Sequence, residues 1–228
     1  MEYGQFCPIA KASEIIGEKW TILIIREILI GGSCRFSDLQ RGLGTISPTL
    51  LTRRLSDLVV AELLIKKKIQ GRRGYEYFPT SSCEELRPIL ISIGGWGMKW
   101  TRAKLTSKDN NVELLMLYLQ RSILPEKLPG KQSVIRFSFS DMASNKQWWL
   151  VIQGTQVDTC DMDPGKDVDI YINTTVATMI DIWTGLITYD KAQKTDALSI
   201  VGPSALTKNV ASWMDNSIFS DMQITRAT

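Results

Sequence analysis

The stretch that decides the fold of the first half of the chain is GTISPTLLTRRLSDLVVAELL, Gly44–Leu64. Ser47 is a residue type that caps helices, and Pro48 suits the first helical position because no N–H donor is needed there. With about 100° of rotation per residue, such a helix places leucines on one side and hydroxyl and arginine side chains on the other. The leucines are Leu51, Leu55 and Leu58, and the opposite face carries Thr49, Arg53, Ser56 and, at its margin, Thr52.

The segments around this helix predict a small helical domain that ends in a hairpin. Lys19–Leu29 is too apolar for a surface helix and predicts a central core helix, and Phe36–Leu43 predicts a short helix. After the quoted stretch, two extended runs flank a loop with two arginines, and a last helix is expected from Glu84 to about Arg102. Helix, turn, helix and basic hairpin, in that order, are typical of a winged helix-turn-helix. The extended runs are Leu64–Ile69 and Tyr75–Pro79, and the loop is Gly71–Gly74.

The polar face of the quoted helix is predicted to contact DNA. Glutamates on that face would meet the negative charge of the phosphates, which explains why none is present. Arg53 can donate two hydrogen bonds to a guanine edge, and hydroxyl side chains can contact phosphates or bases. The alternative is an ordinary surface helix, with Lys66–Lys68 as a solvated strand edge. The predicted DNA-binding residues are Ser47, Thr49, Thr52, Arg53, Arg54, Ser56, Arg72 and Arg73.

Charge divides the 228 residues into two halves. Residues 1–105 hold 16 Lys and Arg against 10 Asp and Glu, whereas residues 106–228 hold 11 against 14. A basic half and an acidic half suggest two domains with different partners. The polar segment Leu105–Asn111 lacks periodicity and is the expected linker. We therefore expect a DNA-binding and dimerisation domain at residues 1–105 and a second domain at residues 112–228.

Composition excludes several kinds of function. The chain contains no histidine, which excludes Ser/His/Asp and Cys/His nucleophilic sites and histidine-containing zinc sites. Its four cysteines are widely spaced without a CxxC pair, and no paired-carboxylate motif is present. We expect no enzyme activity, no cofactor and no metal site. Because the sequence shows neither a secretory signal nor roughly 18 consecutive apolar residues, we expect a cytoplasmic protein without a membrane partner.

The second half has the pattern of an α+β domain. Helices are expected at Val112–Ile123, Thr175–Trp183 and Leu206–Met214. Strands are expected at Val134–Ser140, Trp148–Gln153, Val168–Ile172 and Leu198–Val201. The whole chain is therefore expected to be α+β, with the winged helix-turn-helix first.

The segment from Cys7 to Trp100 resembles the HxlR-type winged-helix transcriptional regulators. The resemblance is carried by Cys7-Pro8, IGEKWTILIIREIL (Ile16–Leu29), RFSDLQRGLGTISPTLLTRRLSDL (Arg35–Leu58) and YEYFPTSSCEELRPIL (Tyr75–Leu90). It implies a homodimer on operator DNA, with terminal helices as the dimer interface; burial within one monomer is the alternative. The interface residues would be Leu86, Ile89, Leu90, Ile93, Trp96 and Trp100. The chain departs from the family at Ala61-Glu62, where a glycine commonly follows an acidic residue.

Cys7 occupies the position of the family's cysteine before proline. Some members use that cysteine as a redox or electrophile sensor, so the resemblance implies a candidate thiol switch. A thiol near a helix N-terminus or a cation becomes more reactive, and Pro8 and Lys11 are close in sequence. An inert thiol is the alternative.

Residues 112–228 resemble the sterol carrier protein 2 (SCP2-like) fold, mainly over Asp167–Met214. This resemblance implies a mixed sheet covered by helices around an apolar tunnel that binds a hydrophobic small molecule. The candidate pocket residues are Trp148, Leu150, Met179 and Trp183. Aromatic and methionine side chains at such spacing also form ordinary cores, so a collapsed domain that only supports the dimer is one alternative. A lipid-like ligand carrier with a purely structural front domain is another.

Overall fold

The computed structural model describes residues 2–101, 106, 109–144 and 146–222. The chain divides into two compact units, residues 1–94 and residues 95–228. The predicted boundary at residue 105 and the predicted helix end near Arg102 lie outside the described residues, so the division at 1–105 and 112–228 stays a prediction.

The first unit is a helical domain with one hairpin, as predicted. Its elements are α1 Pro8–Ile16, α2 Thr21–Leu29, α3 Phe36–Leu43, α4 Pro48–Val60, β1 Leu64–Lys68, β2 Tyr75–Pro79, α5 Ser81–Glu84 and α6 Leu86–Trp100, whose end extends past the division. The core forms where α2, α3 and α4 meet, around Ile24, Leu39, Leu51 and Leu55, all fully buried. Helix α2 begins at Thr21 rather than at Lys19, because Trp20 has a left-handed backbone with φ of 80°.

A left-handed residue ends α4. The N–H of Leu63 donates to the carbonyl of Leu58 at 3.0 Å, and the N–H of Glu62 donates to that of Val59 at 3.1 Å. This pair of bonds is a Schellman motif, which places Glu62 at φ of 57° in the conformation that favours glycine. The departure from the family pattern at Ala61-Glu62 therefore falls on a backbone position where a glycine would be less strained.

The hairpin pairs β1 with β2 in antiparallel register, from Leu64 opposite Pro79 to Lys68 opposite Tyr75. Arg35 adds an isolated antiparallel bridge to Glu76, and the N–H of Tyr77 donates to the carbonyl of Cys34 at 2.8 Å. These contacts attach the hairpin to the segment before α3. Together with the helices they give a winged helix-turn-helix, which confirms that part of the predicted fold class.

The second unit is an α+β domain with a mixed sheet. Its elements are α7 Val112–Ser122, β3 Gln132–Phe139, β4 Gln147–Gln153, β5 Gln156–Cys160, β6 Ile170–Thr174, α8 Val176–Trp183, α9 Tyr189–Lys194, β7 Ser199–Val201 and α10 Ser204–Thr207, with 3-10 turns at Pro125–Lys127 and Val210–Ser212. The strand order is β5-β4-β3-β6-β7; β3 and β6 are parallel and the other pairs are antiparallel. The predicted mixed sheet is confirmed, whereas the SCP2-like identity stays a prediction.

Two local predictions for this unit were wrong. Strand β5 was not expected, because QVDTC lacks an apolar alternation; it forms by pairing with β4. The single closing helix at Leu206–Met214 is divided into α10 and a 3-10 turn. The buried indole N–H of Trp213 donates to the carbonyl of Leu206 at 3.0 Å. That carbonyl would otherwise accept from the fourth following residue, so the bond favours the break.

The main core of this unit lies on one face of the sheet, and a smaller buried cluster around Val134, Trp149 and Val151 lies on the other. The main core contains alternate residues of the central strands, such as Ile135, Phe137 and Leu150, packed with Met116 of α7 and Met179 of α8. Among the helices that the structure describes, none combines the length and the apolar character needed to cross a bilayer.

Candidate nucleic-acid interface

Helix α4 presents the polar face that the sequence predicts. Ser47 caps the helix, since its Oγ accepts from the N–H of Leu50 at 3.3 Å. Leu51, Leu55 and Leu58 are at most 1% exposed and hold the opposite side against the core. Of the predicted contact residues, Ser47, Thr49, Thr52, Arg53 and Ser56 point to solvent; Asp57 and Val60 near the end of the helix are exposed as well.

Two of the exposed hydroxyls bond to their own helix. Thr52 Oγ1 donates to the carbonyl of Pro48 at 2.9 Å, and Ser56 Oγ donates to the carbonyl of Thr52 at 3.0 Å. Their hydrogens are used in these bonds, so each must rotate before it can donate to a phosphate. Arg53 is different, because it is exposed and forms no ion pair within the described residues. Arg53 is therefore the cation that α4 presents to solvent.

Arg54 was predicted to contact DNA, and the structure corrects this assignment. Its side chain is only 11% exposed. The guanidinium binds Glu18 Oε2 at 2.7 Å and Asp57 Oδ2 at 3.1 Å, and Nε donates to the carbonyl of Lys19 at 3.2 Å. Arg54 therefore ties α4 to the turn between α1 and α2. No sequence pattern indicates the contact with this turn, because Glu18 and Lys19 lie about 35 residues earlier along the chain.

The hairpin presents the second set of cations. Arg72 and Arg73 are exposed at the tip between β1 and β2, and neither forms an ion pair in the described part of the chain. The ammonium of Lys66 lies 4.0 Å from the centre of the Tyr75 ring, and that of Lys67 lies 5.0 Å from the Phe78 ring. These cation–π contacts hold two lysines on the strands. The side chains of Arg72 and Arg73 at the tip, in contrast, are exposed to solvent.

The predicted dimer interface is only partly a free surface. Ile89, Ile93, Trp96 and Trp100 are 45–60% exposed and follow one face of α6 at intervals of four, three and four residues. Leu90 corrects the prediction, because it is 8% exposed and belongs to the core of its own unit, against which Leu86 also packs. Three apolar residues near the N-terminus are exposed as well and were not predicted: Phe6, Ile9 and Ile15.

The cysteines differ in their surroundings. Cys7 is half-buried at the N-cap of α1, with Pro8 as the first helical residue. Burial raises the pKa of the Cys83 thiol to about 11 and raises that of Cys34 as well. All four cysteines are free, and no cluster of potential metal ligands occurs within the described residues.

The predicted apolar pocket residues lie in packed surroundings. Trp148, Leu150 and Met179 are at most 7% exposed and belong to the core. The Trp183 ring stacks on Tyr118 with 4.7 Å between ring centres, and its indole N–H donates to Ser122 Oγ at 2.9 Å. None of the four lines either of the two cavities found in this unit. Three of the four predicted pocket residues are therefore packed in the core.

Comparison with known proteins places the first half of the chain. Residues 15–105 match the model of the HxlR-like helix-turn-helix family. The uncharacterized HTH-type transcriptional regulator YvaP of Bacillus subtilis is 32% identical over 103 residues, which are 44% of this chain and 94% of that protein. The uncharacterized HTH-type transcriptional regulator sll1512 of Synechocystis is 32% identical over 43% of this chain and 73% of that protein.

Among solved structures, the redox regulator HypR in its oxidized form is 26% identical over 40% of this chain and 94% of that chain, with a TM-score of 0.36. The family match ends at residue 105, and the two relatives each align with less than half of this chain. The matched region contains α4 and the hairpin, the elements that carry the exposed arginines. The chain belongs, through this region, to the HxlR-like helix-turn-helix family.

Proposed function

We propose that this protein is a transcriptional regulator that binds operator DNA as a homodimer. One observation carries the proposal: the exposed cation Arg53 on α4 is accompanied by the exposed pair Arg72 and Arg73 at the hairpin tip. These three cations form no ion pair within the described residues. Membership of a family whose named relatives are transcriptional regulators supports the same function.

Each group has a separate role in this proposal. Helix α4 enters the major groove, where the Arg53 guanidinium donates to the acceptors of a guanine edge. The hairpin arginines meet the phosphate backbone beside that groove. Arg54 fixes the orientation of α4 through Glu18 and Asp57, at 2.7 and 3.1 Å, and does not contact DNA itself.

Fluorescence anisotropy tests the DNA contacts, using labelled DNA from upstream of the protein's own gene. Arg53→Ala is expected to weaken operator binding by about 1–3 kcal/mol and to relax sequence preference. The double variant Arg72→Ala/Arg73→Ala is expected to weaken all sequences alike and to reduce the slope of log affinity against log salt by roughly 2, about one for each lost phosphate contact. Lys194→Ala removes one exposed positive charge from the second unit and is the matched control.

The assigned roles fail if both arginine variants bind with the affinity and salt dependence of the Lys194→Ala control. Far-UV circular dichroism of each variant separates lost contacts from lost folding. No change in fold is expected, because all three arginines are exposed.

The homodimer is part of the proposal, and the apolar face of α6 supports it. Two such faces would cover Ile89, Ile93, Trp96 and Trp100, which water contacts in one chain. A two-fold dimer requires half-sites about 10–10.5 bp apart, or a multiple of that spacing. Ile93→Glu is expected to shift the mass in analytical ultracentrifugation toward the monomer. Val60→Glu, at another exposed apolar residue, should leave it unchanged. A dimer that survives Ile93→Glu would argue against this interface.

The role of the second unit is less determined by its geometry. An SCP2-like domain that binds a hydrophobic ligand would regulate DNA binding only if the ligand had different affinities for the competent and incompetent dimers. The helices on one face of a mixed sheet support the fold, but the packed state of Trp148, Leu150 and Met179 gives no support to an apolar pocket there. Native mass spectrometry of gently purified protein tests for a retained apolar molecule. A carrier without DNA binding would instead show ligand transfer and no salt-sensitive gel shift.

Three further parts of the proposal follow from the regulator function. The protein needs no enzyme activity, and it acts in the cytoplasm, where DNA is accessible. Cys7 could switch DNA binding through oxidation, since it lies at the start of α1 and is not fully buried. If it does, Cys7→Ser should abolish the response of DNA affinity to a quinone or to diamide. An unchanged response would move the switch to another cysteine.

A further inference from the structure

The face of the second unit's sheet that lies opposite its core carries a row of polar side chains. Ser138 lies opposite Gln147 on β4 and beside Asn173 on β6, and Asn173 pairs with Ser199 on β7. Their chain neighbours Phe137, Ile172, Trp148 and Leu198 belong to the core, so strand alternation places the polar row on the other face. All four side chains line a cleft of about 660 Å³. This size suits a small metabolite.

The next row along the same face contains an unusual cation. Arg136 lies opposite Trp149 on one neighbouring strand and beside Tyr171 on the other. It precedes Ser138 by two residues, which is about 7 Å along a strand. Its guanidinium lies 4.6 Å from the centre of the Tyr171 ring. Arg136 therefore lies against an aromatic ring next to the polar row.

This cation has no counter-ion in the described part of the chain. Its Nε atom is buried and has no hydrogen-bond partner, and no carboxylate forms an ion pair with the guanidinium there. A buried N–H without an acceptor and a partly buried charge without a partner each cost free energy. An anionic ligand would supply both the acceptor and the charge.

The charges around the cleft agree with such a ligand. The lining of the cleft itself contains one exposed cation, Lys146, and one carboxylate, Asp196, while Arg136 lies in the adjacent row. Asp141 directly follows Ser140, which lines the cleft. The Asp141 carboxylate already accepts from the N–H groups of Val176 at 2.8 Å and Ala177 at 3.5 Å. Arg136 lies before the polar row and Lys146 beyond it, and these two cations, with the hydroxyl and amide groups between them, favour a small polar anion over a lipid.

We propose that this sheet face binds a small organic anion with a carboxylate or phosphate group. The anionic group pairs with Arg136, and the remainder of the molecule forms hydrogen bonds with the polar row of Ser138, Gln147, Asn173 and Ser199. The site lies on the face opposite the core in which an apolar tunnel was predicted. It does not depend on the proposed DNA binding, and it gives the second unit a ligand of different chemistry.

Isothermal titration calorimetry tests the proposal with two probes, succinate and inorganic phosphate, against sodium chloride at matched ionic strength. Saturable binding of either probe is expected, and the probe that binds more tightly identifies the anionic group. Arg136→Gln and Asn173→Ala are each expected to weaken binding at least tenfold. Asn173 is exposed, so its variant keeps the fold even if Arg136→Gln does not. Lys131→Gln, an exposed cation that is not part of the cleft lining, is the matched control and should bind as the wild type does.

Two results would overturn the proposal. One is that neither probe gives a saturable signal above the chloride control. The other is that the folded variants Arg136→Gln and Asn173→Ala bind with wild-type affinity, which would place any anion elsewhere on the protein.

Discussion

Replacing Gly42 with alanine perturbs a close approach of α3 to α2 in the winged domain. Gly42 lies in the last turn of α3, and a Cβ atom there would overlap Cδ and Oε2 of Glu27 on α2. The carboxylate cannot move away freely, because Glu27 is 1% exposed and its Oε1 accepts from Arg26 Nη2 at 2.8 Å. The same Arg26 nitrogen donates to the carbonyl of Gly42 at 3.1 Å. A methyl group at position 42 therefore disturbs a charged pair within α2 and the hydrogen bond by which Arg26 links that pair to α3.

These contacts determine how much free energy of unfolding the Gly42→Ala variant should lose. Inserting a methyl group into a well-packed site costs about 1–3 kcal/mol. Weakening a hydrogen bond to a buried charge adds about 1.5–3 kcal/mol. The higher helix propensity of alanine returns about 1 kcal/mol. We expect Gly42→Ala to lower the free energy of unfolding by roughly 1.5–5 kcal/mol.

Urea unfolding followed by far-UV circular dichroism measures this loss. Gly97→Ala is the matched control, because a Cβ there would meet only Thr101 Oγ1, at 3.8 Å. The control should be neutral or stabilising by up to about 1 kcal/mol. In a Glu27→Ala background, Gly42→Ala should cost little, since the overlapping carboxylate is gone. A cost below about 0.5 kcal/mol in the wild type, or an equal cost in both backgrounds, would refute the reasoning.

Three other predictions concern single groups. Glu62→Gly should raise the free energy of unfolding by about 0.5–1 kcal/mol, because φ at this position is 57°, whereas Ala61→Gly should lower it; urea unfolding compares the two. The N–H of Tyr3, and then Lys11, lower the pKa of Glu14 from its ordinary value of 4.5. The bond from the Tyr3 N–H to the Glu14 carboxylate should hold the N-terminal segment in place above pH 4.5 and release it as the pH falls through the lowered pKa. The NMR resonance of the Tyr3 amide should report this release. In the Glu14→Gln variant the same Tyr3 resonance should not titrate. Burial raises the pKa of Cys83 from 9.0 to about 11. The contribution of the buried neutral thiol to the free energy of unfolding should therefore be complete below pH 9 and be lost as the pH rises toward 11. Peptide mapping after iodoacetamide treatment should find Cys83 unmodified at pH 8 unless urea is present.

The elements of the first unit were predictable because local signals agree with the tertiary structure. Ser47 and Pro48 begin α4 in both the sequence pattern and the structure, and the seam of Leu51, Leu55 and Leu58 determines which side is buried. The hairpin was equally clear, since two extended runs flank a loop with glycine at each end. Here cap, periodicity and turn all specify the same fold.

The errors arose where one distant group decides the local conformation. Strand β5 forms because it pairs with the edge of β4, and the sequence QVDTC by itself does not show that this edge is present. The break after α10 follows from a buried indole that competes for a helix carbonyl. Leu90 shares a periodic pattern with Ile89 and Ile93, yet it faces the core of its own chain. Periodicity shows that a helix has an apolar side, but it cannot show how much of that side a second surface covers.

The two adjacent arginines of α4 show the same limit within the candidate site. Arg53 and Arg54 are identical in type and differ by about 100° in direction. That rotation places Arg53 in solvent, whereas it turns Arg54 toward Glu18 and the Lys19 carbonyl. A pair of acceptors about 35 residues away thus makes Arg54 a support for the helix. The support has a function of its own, because a guanidinium can read a base edge only if the helix that carries it is held in one orientation. The same residue type is therefore exposed and available at one position and engaged in holding the helix at the next, and only the three-dimensional partners distinguish the two.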